Sequence, residues 1–210
     1  MNRNIKTAAK LAALAGAFAL TGCAFVPDTV HPQYIPQANV QKIPGADKVA
    51  VDVVVKNEKK HKDEVSPSKN GYDMTTAWVH MSVAKDFKDA IITALDARGF
   101  EAGSNHGIVI NVVIKKFFLK ETNNFSGIVH NGSSRLVVDV LSRNRKVVLS
   151  KNIIVNNYVQ KLSAWSSSGG RSSSVRGLLN ATVDKLADDK KITDAILSVG
   201  SGGVTIPKAS

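Results

Sequence analysis

The sequence predicts an α+β fold: a small antiparallel or mixed sheet with two amphipathic helices packed on one face. Three observations predict it. β-Branched or alternating segments recur at Lys48–Lys56, Ser134–Leu141 and Lys146–Val159. Two other stretches, Val83–Arg98 and Val175–Ala187, repeat apolar residues at helical spacing. A short polar turn, Ser142–Arg145, joins two of the strands as an antiparallel hairpin. With 210 residues, 43% of them hydrophobic and 21% charged, the chain reads as one domain with extensions. This excludes collagen, wholesale disorder and a polytopic membrane protein. No internal repeat is visible.

Taken in order, residues 24–47 hold Pro27, Pro32, Pro36 and Pro44, four of the chain's six prolines, without periodicity. They read as a linker with a root-mean-square span of about 25–30 Å. Lys48–Lys56 (KVAVDVVVK) alternates around Asp52 and reads as a strand. Asn57–Tyr72 is lysine-rich, contains Pro67 and Asn70-Gly71, and reads as a solvated loop or wide hairpin end. Trp78, between that loop and the first helix, is expected in the core. Val83, Phe87, Ala90, Ile91, Ala94 and Leu95 then form one face of a helix. Ser82 is its N-cap candidate, Arg98 suits the last turn, and Gly99 followed by Phe100 suits its end.

Gly107–Leu119 is almost continuously apolar, as a central strand buried on both faces would be. Leu136, Val138 and Val140 share one face of the next strand, with Arg135 and Asp139 on the other. Ser163–Ser174 (SAWSSSGGRSSS) reads as a flexible loop. Ser173 or Ser174 is then the cap of a second helix that turns Val175, Leu178, Leu179, Thr182, Val183 and Leu186 inward. Asp188-Asp189-Lys190-Lys191 breaks it, and Ile192–Val199 reads as a short terminal helical turn. Residues 200–210 form a tail, with Val204–Ile206 as a candidate edge strand. The domain thus covers residues 48–199.

The chemistry-bearing motifs of enzymes are missing: the sequence has no Walker-type glycine loop, GxGxxG, HExxH or GxSxG. No catalytic residue, cofactor or metal is expected. His31, His61, His80, His106 and His130 lie far apart and read as solvated loop residues. The serine tract lacks a fixed neighbouring base, so it is not read as a nucleophile. Lys+Arg number 28 against 17 Asp+Glu, a net charge of +11. Three of the cations (Arg3, Lys6, Lys10) precede the apolar run described below, leaving 25 against 17, or +8.

Basic residues recur at strand ends and turns: Lys59, Lys60 and Lys62, then Lys115 and Lys116, then Arg143, Arg145 and Lys146. They read either as a surface for an anionic partner or as ordinary solubilising charges. Trp165 in the serine tract is an interaction anchor, with Arg171 beside it, or packs on its own sheet. The candidate contact residues are therefore Trp165, Arg171, Lys115, Arg143 and Arg145.

Met1–Lys10 is basic without an acid, and Leu11–Leu20 is an apolar run too short to span a bilayer. Together they read as a signal peptide, residues 1–22. It ends in Leu20-Thr21-Gly22-Cys23, which resembles the lipobox of bacterial lipoproteins. Cys23 is the chain's one cysteine, so no intrachain disulfide and no cysteine-rich metal site can form. The resemblance implies cleavage before Cys23 and acylation of its sulfur and amine, with acyl chains that each add about 0.8 kcal/mol per buried methylene. Ala24, where an Asp would resemble an inner-membrane retention signal, favours the outer membrane with the domain facing the periplasm.

The lipobox, the proline-bearing stretch, the segment Ala84–Gly99 (AKDFKDAIITALDARG) with Phe100, and the Asp-rich helix end within Val183–Ile196 are similar to the YajG-type lipoproteins of Gram-negative bacteria. The lysine-rich loop after Val55 and the serine tract depart from that pattern. The resemblance implies a location and a fold but carries over no catalytic residue. The expectation is a non-enzymatic lipoprotein binding or scaffolding an envelope component: a protein, peptidoglycan or lipopolysaccharide, and not nucleic acid. The alternative is a carrier holding a lipid or glycan between helices and sheet, near Ile91, Leu95 and Leu179.

Overall fold

A computed structural model describes residues 28–200 apart from 71, 106, 125–126 and 164–167. The signal segment 1–22, Cys23, His106, Trp165 and Val204–Ile206 lie outside the described residues. The strands are β1 (Asp28–Val30), β2 (Ala50–Asn57), β3 (Glu64–Lys69), β4 (Thr75–Met81), β5 (Glu101–Ala102), β6 (Ile108–Asn124), β7 (Gly127–Leu141) and β8 (Val147–Leu162). The helices are α1 (Val83–Ala97), α2 (Ser168–Ala187) and α3 (Lys190–Gly200). A five-stranded sheet has the order β5-β2-β6-β7-β8 and a three-stranded sheet the order β1-β4-β3. β2 runs parallel to β5 and β6, β1 runs parallel to β4, and the remaining pairs are antiparallel. The fold is α+β with two mixed sheets, where the sequence predicts one.

The long apolar run becomes β6, the middle strand of the larger sheet, with Ile108, Val109, Ile110, Val112 and Ile114 buried. Leu136, Val138 and Val140 of β7 are buried on one face as their alternation requires. The whole predicted stripe of α1 is buried, and Phe87 meets Phe117 of β6 edge-on with ring centroids 5.1 Å apart. Gly99, at φ 98, ends α1 in the left-handed region, and the Phe100 N–H returns to the Leu95 carbonyl. The turn Ser142–Lys146 joins β7 to β8, closed by the Ser142 N–H on the Lys146 carbonyl. Ser82 sits at the N-cap position of α1 without a side-chain capping bond.

Four expectations are corrected. α2 begins at Ser168, so the C-terminal half of the predicted serine loop is helix, and Ser174 is buried within it instead of capping it. The terminal turn is a full third helix, whose first free N–H groups, those of Lys191 and Ile192, donate to Asp189 Oδ1. Part of the lysine-rich loop is strand β3, and Trp78 stands on β4 with 38% of its surface exposed, outside the core.

The largest correction concerns the predicted linker. From Asp28 onward it is docked on the domain. β1 pairs with β4, Tyr34 and Ala46 are buried, and the Ile43 N–H donates to the Arg98 carbonyl. Tyr34 donates to Asp184 of α2 at 2.5 Å, and Gln37 donates to the same carboxylate at 3.1 Å. Burial and this bond push the Tyr34 phenol up to about 12. Such a strap buries isolated residues between prolines, so no period betrays it.

Candidate functional site

β6 carries a bulge between Ile114 and Lys116, and the extra residue leaves both Lys115 and Lys116 exposed in succession. Strict alternation would have turned one of them inward. Beside this bulge, the β2–β3 connection brings Lys59, Lys60 and His61, β3 brings Glu64, and β4 brings Trp78. Together with Phe117 and Phe118 they line a surface cleft of about 320 Å³.

The lysines of this cleft are not equivalent. Lys115 is tied to Glu58, which also pairs with Lys56 at 3.0 Å; these bonds, Lys115's first, hold the Glu58 carboxyl below its usual range. Lys59 is buried, and its Nζ donates to the Glu64 carbonyl at 3.0 Å. Burial pushes its ammonium down to about 8, against the opposing pull of Asp63 and Glu64. His61 lies 3.3 Å from Glu64. Lys60 and Lys116 are exposed cations, and Trp78 with half-buried Phe118 supplies an apolar wall. This arrangement suits an anionic group attached to an apolar or planar body.

Of the predicted contact residues, Lys115 is in this cleft. Arg143 and Arg145 are exposed on the β7–β8 turn, eight and ten residues beyond Arg135, the β7 partner of Lys116. β7 runs six residues beyond Arg135 to Leu141 before the turn, which at about 3.3 Å per residue puts them roughly 20 Å or more from the cleft, so the three do not form one patch. Trp165 lies outside the described residues.

Arg171 is engaged elsewhere. Its Nε and Nη2 clamp the two oxygens of Glu121 at 2.8 and 3.2 Å. Glu121 is fully buried and also receives the Lys69 N–H at 3.0 Å and approaches His130 Nε2 at 3.0 Å. Burial alone would raise its carboxyl, yet the bonds from His130 and Arg171 bring it down to about 2. An ionised carboxylate only accepts, so His130 Nε2 carries a hydrogen and donates. His130 Nδ1 meets Ser174 Oγ at 2.7 Å, and that hydroxyl is also 3.1 Å from the Gly170 carbonyl.

His130, expected in a solvated loop, is buried in β7. The order Ser174–His130–Glu121 has the composition of a hydrolytic triad, but Ser174 and His130 are both shut off from solvent. The network instead ties β3, β6, β7 and α2 together. Sequence reasoning missed it because its members are spread from Lys69 to Ser174, and Glu121 and His130 stand in polar stretches (KETNN and HNGSS) that read as surface. Among the described residues no group of three His, Cys, Asp or Glu side chains is placed to hold a metal. Among them, too, no helix is long and apolar enough to cross a membrane.

A family model described as an uncharacterised lipoprotein, Lipoprotein_16, matches residues 36–197. No curated protein matches the chain. Among solved structures it is similar to a DUF330-family protein from Xanthomonas campestris, at 14% identity over 80% of this chain and 96% of that one, with a TM-score of 0.49. It is also similar to a putative neuraminyllactose-binding hemagglutinin homologue from Helicobacter pylori, at 13% identity over 82% and 99% of the two chains, with a TM-score of 0.46. A minor lipoprotein from Acinetobacter baumannii matches at 6% identity over 73% and 92%, with a TM-score of 0.37.

Proposed function

Because the chain belongs to the Lipoprotein_16 family of uncharacterised lipoproteins, we propose that it is acylated on Cys23 after removal of residues 1–22 and held at the periplasmic face of the outer membrane. Its α+β domain is a non-enzymatic module that binds or scaffolds another envelope component. One observation carries this reading: a tryptophan left 38% exposed at the wall of a lysine-lined cleft. A large exposed aromatic ring is the residue type that interfaces favour, and the exposed Lys60 and Lys116 beside it suit an anionic partner. The lipobox and Ala24 support the address, and the Ala84–Gly99 segment supports a place among the YajG-type members.

The carrier alternative is weaker. Ile91, Leu95 and Leu179 are completely buried in one continuous core, so a ligand between helix and sheet would have to displace packed side chains. Two measurements test the proposal. Metabolic labelling with a palmitate analogue should mark the wild type and not Cys23→Ser; label persisting in the variant overturns the anchoring. A photo-crosslinking residue in place of Trp78 should capture an envelope component in living cells, whereas one at Arg143 should not. Equal capture at both positions overturns the role of the cleft.

A further inference from the structure

Past its bulge, β6 alternates without interruption. Phe117, Leu119 and Glu121 are buried, so Lys116, Phe118 and Lys120 line the other face of the sheet. Their directly opposed partners on β7 are Arg135, Ser133 and Asn131. Arg135 lies between the buried Ser134 and Leu136 and therefore shares the face of Lys116. Two strands thus present a platform of three cations, one aromatic ring, one hydroxyl and one amide. Lys116 and Phe118 also line the Trp78 cleft, so platform and cleft are continuous.

Lys116 and Arg135 are the anomaly on this face. Like charges directly opposed on antiparallel strands, with Cβ atoms about 5 Å apart, destabilise the pairing. Glu58, the carboxylate at the bulge, is taken by Lys56 and Lys115. Among the described residues no ion pair joins Lys116 or Arg135 to a carboxylate. Lys120 feels Asp73, which is itself paired with Lys69 at 2.9 Å. The sheet therefore carries a repulsion that an anion of more than one charge would remove. A phosphomonoester suits it: at neutral pH it has about −1.5 to −2 charges and three acceptor oxygens. A guanidinium fork takes two such oxygens side by side. A carboxylate brings a single charge and leaves one cation uncompensated.

The neighbouring side chains select what bears the phosphate. Half-buried Phe118 has Ser133 opposite it and Asn131 two residues along β7. An aromatic surface takes the C–H face of a sugar ring, while hydroxyl and amide groups bond its hydroxyls. Lys120 stands about 13 Å beyond Lys116 along β6, across the ring, where a second phosphate would meet it. Resting on the cleft as the binding surface, we infer that this platform binds a phosphorylated saccharide, the sugar-phosphate head of lipopolysaccharide. One phosphate sits between Lys116 and Arg135, a second at Lys120, and the sugars lie over Phe118 toward Trp78.

The test titrates the full mature chain in detergent by calorimetry. Its probes are the deacylated, bisphosphorylated saccharide of lipopolysaccharide, the same saccharide after phosphate removal, and a muropeptide whose only anions are carboxylates. The phosphorylated saccharide should bind, and removal of its phosphates should weaken binding about tenfold or more. Lys116→Gln and Arg135→Gln should each weaken it several-fold, whereas Arg143→Gln should not. Both platform variants should melt no lower than the wild type, because each relieves the repulsion. Equal affinity with and without phosphates, or wild-type binding by both glutamine variants, overturns the inference. Tighter binding of the muropeptide assigns the face to peptidoglycan carboxylates and overturns it as well. No binding of the phosphorylated saccharide, with capture by the crosslinker at Trp78 intact, overturns this inference and leaves the cleft standing. Loss of that capture too removes both.

Discussion

Glu121 and His130 are directly opposed partners across β6 and β7, with Oε2 and Nε2 3.0 Å apart and neither side chain open to solvent. The pair makes stability depend on acid. In the folded chain the Glu121 carboxyl is held at about 2, against 4.5 for the free group. A depressed carboxyl contributes stability that is present above 4.5 and lost as the pH falls toward 2. Urea midpoints should therefore fall through that window in the wild type. Glu121→Gln should flatten this loss and cost roughly 3 kcal/mol near neutrality, because it leaves Arg171 and His130 without their carboxylate. An unchanged acid profile would remove Glu121 as its source.

Lys59 works in the opposite sense. Its folded-state value of about 8 lies below the free value of 10.5, so burial penalises the ammonium. The penalty is complete below 8 and is relieved as the pH rises toward 10.5. Stability should gain from this group across that interval, and Lys59→Met should abolish the gain while raising stability at neutral pH. Denaturant titrations at several pH values check both signs.

The strap adds stability that a linker would not. Tyr34→Phe removes one bond to a carboxylate, a loss of about 1 kcal/mol after allowing for the partial exposure of Asp184. Truncation before Lys48 should lower the melting temperature far more, because it strips β1 from β4. A truncated chain melting with the wild type would mean that the segment is a tether after all.

Leu95→Asp should prevent folding. An unpaired carboxylate at this buried site costs several kcal/mol, comparable with the stability of a whole domain. Circular dichroism would show the loss of a cooperative transition, and an unchanged transition would contradict the packing of α1.

Trp78→Ala, by contrast, should leave the domain folded, at a cost of about 1–3 kcal/mol for the buried part of the ring. It should also abolish capture of an envelope component by a crosslinker placed at Lys60. A large loss of stability with capture intact would make Trp78 a packing residue.

What the sequence made legible follows from how each element is stabilised. α1 and the inner face of α2 are periodic because each buries a continuous stripe, so Leu95 and Leu179 could be placed by spacing alone. β7 alternates for the same reason. α2's first turns escaped notice because Ser168–Ser174 have poor intrinsic propensity, and what holds Ser174 there is its contact with His130, a residue 44 positions away. Lys115 was found as a charge, but its cleft was not, since only the bulge and the placement of β4 bring Trp78 beside it. The strap was hidden because prolines report a local constraint and say nothing of Asp184.

The Tyr34–Asp184 contact joins residues 150 positions apart. Ribosomes deliver the strap first and its binding site nearly last. Closing so long a loop costs chain entropy that local helices and hairpins do not incur. Docking of residues 28–48 is accordingly a late event in folding, and until then the N-terminal stretch remains unpaired. A chain built in this way completes most of its sheet and helices before residues 28–48 are tied down.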